Sequence, residues 1–353
     1  ERGESVGTAQ ASFGGATLRG NLPAALELFA DLLRRPQLPA DQLEQGCSVC
    51  LQELRSVDDE PSHKLMIELR RRQYPDPWGR SSHGDLPGLR AISIGDVREF
   101  HARPYRPNGV ILAVAGNFDW RELCDHVERL FGDWPARDDP EPAASNGHTA
   151  ASHIPFESTQ SHVGIAYPSI PYKHPDYFQA WAAVGVLSSG SSSRLFTEVR
   201  ERRGLCYTVN ASLHTQRERA AVFCYAGTTA ERAQETLDVT IGELMRLGDG
   251  IEHESSWAYD RILDGIERGE LDRLKARIKS SLIMQQESSA ARSGAIAREW
   301  YHLGRARTLD EIGRLIDALT SDTINDYLRA NPPRDLLVVT LGPEPLEVPV
   351  GIS

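Results

Sequence analysis

A chain of 353 residues exceeds the usual size of one domain, so two cores are expected. Its 40% apolar and 25% charged residues are those of an ordinary soluble globular protein. A formal charge of -11 with no long Lys/Arg tract argues against a nucleic-acid partner, and no apolar run is long enough to cross a bilayer.

The cysteines, Cys47, Cys50, Cys124, Cys206 and Cys224, are sparse and odd in number, which is not a disulfide framework. A reducing compartment such as the cytoplasm fits them. Cys47 and Cys50 form a CxxC, but no second pair accompanies it and the surrounding pattern is helical. They read as small thiols on a helix rather than as metal ligands.

The chain opens on ERGESV, without an initiating Met or a signal segment, as though in mid-domain. SVGTAQASFGGATLRG, from Ser5, alternates small and apolar residues as strands do, and NLPAALELFADLLRRP then carries apolar positions at helical spacing. A further helix is expected from about Pro39 to Arg55, with a core stripe of Leu43, Cys47, Cys50, Leu51 and Leu54. Glu53 lies off that stripe, on the same face as Gly46 two turns earlier. By pattern alone Glu53 is a solvated helix glutamate. The DDEP run from Asp58 to Pro61 ends the helix.

From Ile92 to Asp119 a Ser-capped amphipathic helix leads through a proline-bearing turn into an apolar β-branched run ending at Gly. The stretch from Leu319 to Pro343 repeats this order: Thr cap, helix, proline turn, apolar run, Gly. The match extends backwards. YTVNASLHTQRERAAVFCYAGT supplies two strands, AERAQETLDVTIGELMRL a helix, and GELDRLKARIKSSLIMQQES a second helix, in the order of the first half. Between the halves, Pro135 to Ser152 is rich in Pro, Ala, Asp and Ser and reads as a linker.

The expected architecture is α+β: two duplicated lobes, each a largely antiparallel sheet covered by helices. Residues 1–134 form the first lobe, 135–153 the linker, 154–345 the second lobe and 346–353 a tail. The second half has about fifty residues, from Ile154 to Cys206, ahead of its first matched strand, and the first half has almost none. The first lobe is therefore expected to be truncated at its N-terminus, by one strand and one helix.

VGVLSSGSSSRLFTEVRERRGLCYTV, from Val184, leads from a Gly/Ser segment into a short helix with Leu195, Phe196 and Val199 inward. Gly204 stops that helix and Tyr207 begins the next strand. Arg200, near the helix end, and Tyr207 together can present a cation and a phenol to a peptide backbone. On pattern alone they are equally a surface Arg and a half-buried strand Tyr.

SSRLFTEVRERRGLCYTV, LEQGCSVCLQELRSVDDEP, PYRPNGVILAVAGNFD and DRLKARIKSSLIMQQESS resemble segments of the pitrilysin/insulinase/mitochondrial processing peptidase family, and the likeness runs from about Ser5 to Pro343. The resemblance implies a zinc-dependent metalloendopeptidase acting on peptides. Its zinc is held by two histidines of an inverted HxxEH motif, whose glutamate is the general base, and by a later glutamate matched here by Glu53. Arg200 and Tyr207 match the pair that holds the substrate backbone. No histidine of this sequence falls in HxxEH, so two of the three ligands and the base are missing, and Gly46 stands where active members usually carry another glutamate. The family also contains catalytically silent subunits that keep the fold and bind peptide. The alternative expectation is such a partner, in a homodimer or beside a homologous peptidase subunit.

Overall fold

The computed structural model describes residues 2–138, 151–247, 265–285 and 287–349; most of the expected linker and the end of the expected tail lie outside them. The elements begin with strands β1 (Arg2–Val6) and β2 (Ala11–Gly15), then helices α1 (Leu22–Arg34), α2 (Leu43–Asp59), α3 (Pro61–Gln73), α4 (Leu86–Ala91), α5 (Ile94–Ala102) and α6 (Trp120–Phe131). Next come β3 (Ser152–Pro155), β4 (Gln160–Ser169), α7 (Tyr177–Ser188), β5 (Cys206–Thr215), β6 (Ala220–Thr229) and α8 (Ala233–Met245). The chain continues through α9 (Arg268–Gln285), α10 (Ser289–Leu303), α11 (Leu309–Asp317) and α12 (Ser321–Ala330) to β7 (Leu337–Gly342). The class is mixed α+β with a mostly antiparallel sheet. No described helix is long and apolar enough to cross a membrane.

Two compact units cut across chain order. The first comprises Glu1–Asp59, Arg80–Ala143 and Gln285–Ala306; the second comprises Glu60–Gly79, Ala144–Met284 and Arg307–Ser353. Helix α3, from the first half of the chain, thus belongs to the second unit, and α10, from the second half, belongs to the first.

The second unit is built on a five-stranded sheet in the order β3-β7-β4-β6-β5, in which only β3 and β7 run parallel. Alternate side chains point to opposite faces. Val163, Ile165, Val222 and Val338 join one core with Leu187, Leu237, Leu244 and Ile324 of α7, α8 and α12. Ala166, Phe223, Leu337, Val339 and Leu341 face the other way, onto Leu65, Leu69 and Tyr74. Two buried faces explain why LLVVTLG and AAVFCYAG are almost continuously apolar. Leu65 and Leu69 are fully buried, and each such burial stabilises the docking of α3 by roughly 1.5–3 kcal/mol.

In the first unit α1 and α6 pack through Leu26, Ala30 and Leu123. Asp119 caps α6 by accepting from the Glu122 amide at 2.9 Å. The buried His126 has one tautomer available: its Nε2 lies 3.2 Å from the Pro23 carbonyl, which can only accept, and its Nδ1 lies 2.7 Å from an Arg129 donor. The sheet of this unit, among the described residues, is the exposed β1–β2 hairpin.

Capping boxes start α5 at Ser93 and α12 at Thr320, the two helices expected to correspond. The segments after the two helices differ. Residues 337–342 form β7, between β3 and β4, whereas the apolar run at 110–115 joins no ladder. An extended segment becomes a strand only when a neighbour takes its amides and carbonyls, and no described strand pairs with this one. Val110 and Leu112 are exposed accordingly.

Candidate functional site

Arg200 and Tyr207 share the second unit. Leu195 and Val199 are fully buried and hold the intervening turn, Phe196–Arg202, which is wound as a π-helix rather than the ordinary helix expected. Gly204 stops it at φ +60°, a conformation that favours glycine. The Gly204 amide donates to the Arg200 carbonyl at 3.1 Å and the Leu205 amide to the Val199 carbonyl at 2.9 Å. The Leu205 carbonyl in turn accepts from the buried Thr228 hydroxyl at 2.5 Å, which fixes the entry to β5. Cys206 pairs with Thr228 and Thr208 with Gly227, so Tyr207 is the extra residue of a β-bulge. The bulge turns its side chain outward to 88% exposure, well beyond the half-buried position that strand alternation suggested.

Arg200 is exposed, with its guanidinium carbon 4.8 Å from the Phe196 ring centroid. Its charge reaches the Cys206 thiol, although burial dominates there and pushes that thiol up to about 11. A cation with several donors and a phenol thus stand free at the start of β5, the edge strand of the sheet.

Glu53 belongs to the first unit. It is exposed on α2, whose partly buried stripe is Leu43, Cys47, Leu51 and Leu54, ending at the buried Val57. Cys50, expected within the stripe, is exposed instead. It sits at the margin beside Gly46 and Glu53, and no described element covers that margin. A Cβ placed on Gly46 would meet nothing within 4 Å, so packing does not demand glycine there. Among the described residues no three His, Cys, Asp or Glu side chains gather closely enough to hold a metal ion. Glu53 supplies a single carboxylate. The donor set does not fit a catalytic zinc, which takes three protein ligands, and no hydrolytic step follows from it.

A second constellation went unread in the sequence. In the second unit, Ser62, His63, Met66, Ile67 and Arg70 of α3 line a cavity of about 420 Å³, open to solvent, with Asn210 of β5 and Tyr225 of β6. The Tyr225 hydroxyl bonds His162 Nδ1 at 2.8 Å and also interacts with Ser62; burial raises its pKa and lowers that of His162. Beside it, the Tyr74 hydroxyl lies 2.9 Å from His214 Nδ1. The available signal was the i, i+4 pair Leu65 and Leu69, which marks α3 as a core helix and its other residues as a lining.

This organisation is that of an α+β module of the peptidase type, and comparison with known proteins agrees. Residues 91–256 match the family described as peptidase M16 inactive domain. A Mycobacterium bovis protein named an uncharacterized zinc protease is 28% identical over 339 residues, covering 92% of this chain and 73% of that protein. The beta subunit of the mitochondrial-processing peptidase of Saccharomyces cerevisiae is 22% identical over 328 residues, covering 87% of this chain and 68% of the subunit. A crystal structure of a peptidase M16 inactive domain from Pseudomonas fluorescens superposes with a TM-score of 0.79 at 23% identity, over 99% of this chain and 82% of that one. Together these likenesses support the assignment to the pitrilysin/insulinase/mitochondrial processing peptidase family that the sequence motifs suggested.

Proposed function

We propose that this chain is the peptide-holding portion of a zinc metalloendopeptidase of its family, and that Arg200 and Tyr207 grasp the backbone of an extended peptide. The observation that carries this reading is the bulge that turns Tyr207 into solvent at the head of an edge strand, directly after the turn that bears the exposed Arg200. A large aromatic 88% exposed at a fixed bulge gains nothing from packing. Its hydroxyl and the five donors of Arg200 suit peptide carbonyls. Glu53 is the one zinc ligand this chain would contribute, and the remaining ligands and the general base would have to come from elsewhere in the protein.

The second reading, a catalytically silent partner in a homodimer or beside a homologous subunit, is favoured by Gly46. The open space at its Cα would accept a glutamate, so its identity is not imposed by the fold. A relative that is itself named a subunit, the yeast processing-peptidase beta chain, supports a role within an assembly.

The test is to measure peptide affinity and unfolding midpoint for Tyr207→Phe and Arg200→Ala. Weakened affinity with an almost unchanged midpoint supports peptide holding, since one change removes only a hydroxyl and the other an exposed side chain. A lowered midpoint with intact affinity assigns both residues to scaffold.

A further inference from the structure

Among the described residues, strand β5 has a strand partner on one side only. The hairpin bond from the Gln216 amide to the Arg219 carbonyl and the register of β5 on β6 fix the backbone alternation. Asn210, Ser212 and His214 bond inward to β6, and Val209, Ala211 and Leu213 turn their amides and carbonyls to the open edge. Of these, the Ala211 amide is taken by the Ser188 hydroxyl at 2.7 Å. No described strand lies along that edge. Tyr207 and Arg200 stand at its beginning, and the α3 cavity opens beside it through Asn210.

The charge of that cavity is unbalanced. Glu68, the one acidic residue of α3, is claimed by two neighbours, Arg71 at 2.7 and 2.8 Å and Arg72 at 2.6 Å. Arg70 is left over the Phe223 ring, 5.8 Å from its centroid, and among the described residues no carboxylate pairs with it. The exposed His63 adds a polar group, Met66 and Ile67 an apolar wall.

We propose that a peptide held by Arg200 and Tyr207 runs along β5 as an added strand and places an acidic side chain in the cavity, against Arg70. Side chains of an added strand alternate between the faces of the sheet, so every second one falls on the α3 side. A Glu there reaches an unmatched guanidinium, a Gln loses the charge, and a Lys meets like charge. This inference rests on the peptide-holding reading and adds to it a preference that the backbone contacts alone would not produce.

The experiment uses capped heptapeptides of alternating Thr and Val with a central Glu, Gln or Lys, titrated by fluorescence polarisation against the native chain, Arg70→Met, Tyr207→Phe and Arg200→Ala. The native chain should bind the Glu peptide roughly three- to tenfold more tightly than the Gln peptide, as one partly exposed charge-assisted contact allows, with Lys weakest. Arg70→Met should abolish the Glu preference, bringing the Glu peptide to the affinity of the Gln peptide; Arg70 is exposed, so the unfolding midpoint should change little. Tyr207→Phe should weaken all three peptides alike and keep their order. Equal binding of Glu and Gln peptides, or a preference that survives Arg70→Met, overturns the acidic pocket and leaves the backbone reading standing. Failure of every peptide to bind the native chain, or indifference to both Tyr207→Phe and Arg200→Ala, removes the peptide reading and the pocket with it.

Discussion

Arg194 grips the Glu270 carboxylate with two parallel bonds of 2.8 Å, Nε to Oε1 and Nη2 to Oε2, in a place where neither side chain meets much water. The same Nη2 donates to the Gly265 carbonyl at 2.5 Å. Burial works against a charged Glu270, and the bonds and charge of Arg194 outweigh it, holding the carboxyl below its ordinary pKa. Arg194→Ala should therefore cost about 3–5 kcal/mol in denaturant unfolding, because a buried carboxylate is left without its partner. Replacing both residues by methionine should recover much of that loss. If the double variant were as unstable as the single one, the pair would be stabilising in itself.

The half-buried His214 gives the second unit an acid limit. Burial, and then the Arg70 charge, depress its pKa from 6.5 to about 4. In the unfolded chain the imidazole takes up its proton as pH falls through 6.5, whereas in the folded chain it waits until about 4. The contribution is complete above the upper value and falls away between the two, by up to about 3 kcal/mol. His162 shifts in the same direction, also through burial. Unfolding midpoints measured from neutrality down to about pH 4.5 should decline, and His214→Gln should flatten that slope. An unchanged slope in the variant would place the acid sensitivity elsewhere.

Gly164 of β4 lies directly beneath α3. A Cβ added there would come within 3.1 Å of a methyl of both Leu65 and Leu69. Gly164→Ala should cost roughly 1–3 kcal/mol through overpacking. Combined with Leu65→Ala the penalties should fall short of their sum, because the smaller side chain makes room. Strict additivity would show that α3 shifts freely on the sheet.

The chain as described should hold no stoichiometric zinc and show no chelator-sensitive peptidase activity. Glu53 offers one carboxylate where a catalytic site takes three protein ligands. Elemental analysis finding one tightly held zinc per chain would overturn this and direct attention to Cys47 and Cys50.

Local signals were legible in the sequence where a residue acts on its own neighbours. The caps at Ser93 and Thr320, the stop at Gly204 and the strand pair through Cys206–Thr215 and Ala220–Thr229 all depend on a few consecutive residues, and all are present. What the sequence withheld is set at long range. The buried state of Arg194 depends on Glu270, 76 residues later. The apolar run at 110–115 has strand composition and lacks a strand neighbour. Cys50 has stripe spacing and lacks a covering element. At the candidate site, the proximity of Arg200 and Tyr207 in sequence made them visible together. The exposure of Tyr207 required the bulge, which exists only once β5 is paired with β6. The α3 cavity required knowing which sheet that helix covers, and an amphipathic pattern names a buried face without naming its partner.

The exchange of α3 and α10 between the two units has a consequence for how the gene can be cut. A fragment beginning after the segment that joins the halves would carry β3 to β7 but leave Phe223, Val339 and Leu341 bare, because Leu65 and Leu69 would be on the other piece. The other piece would lack α10. Neither product would be a domain, whatever its length. Each would be the complement the other needs, and mixing the two should restore what expressing them singly cannot.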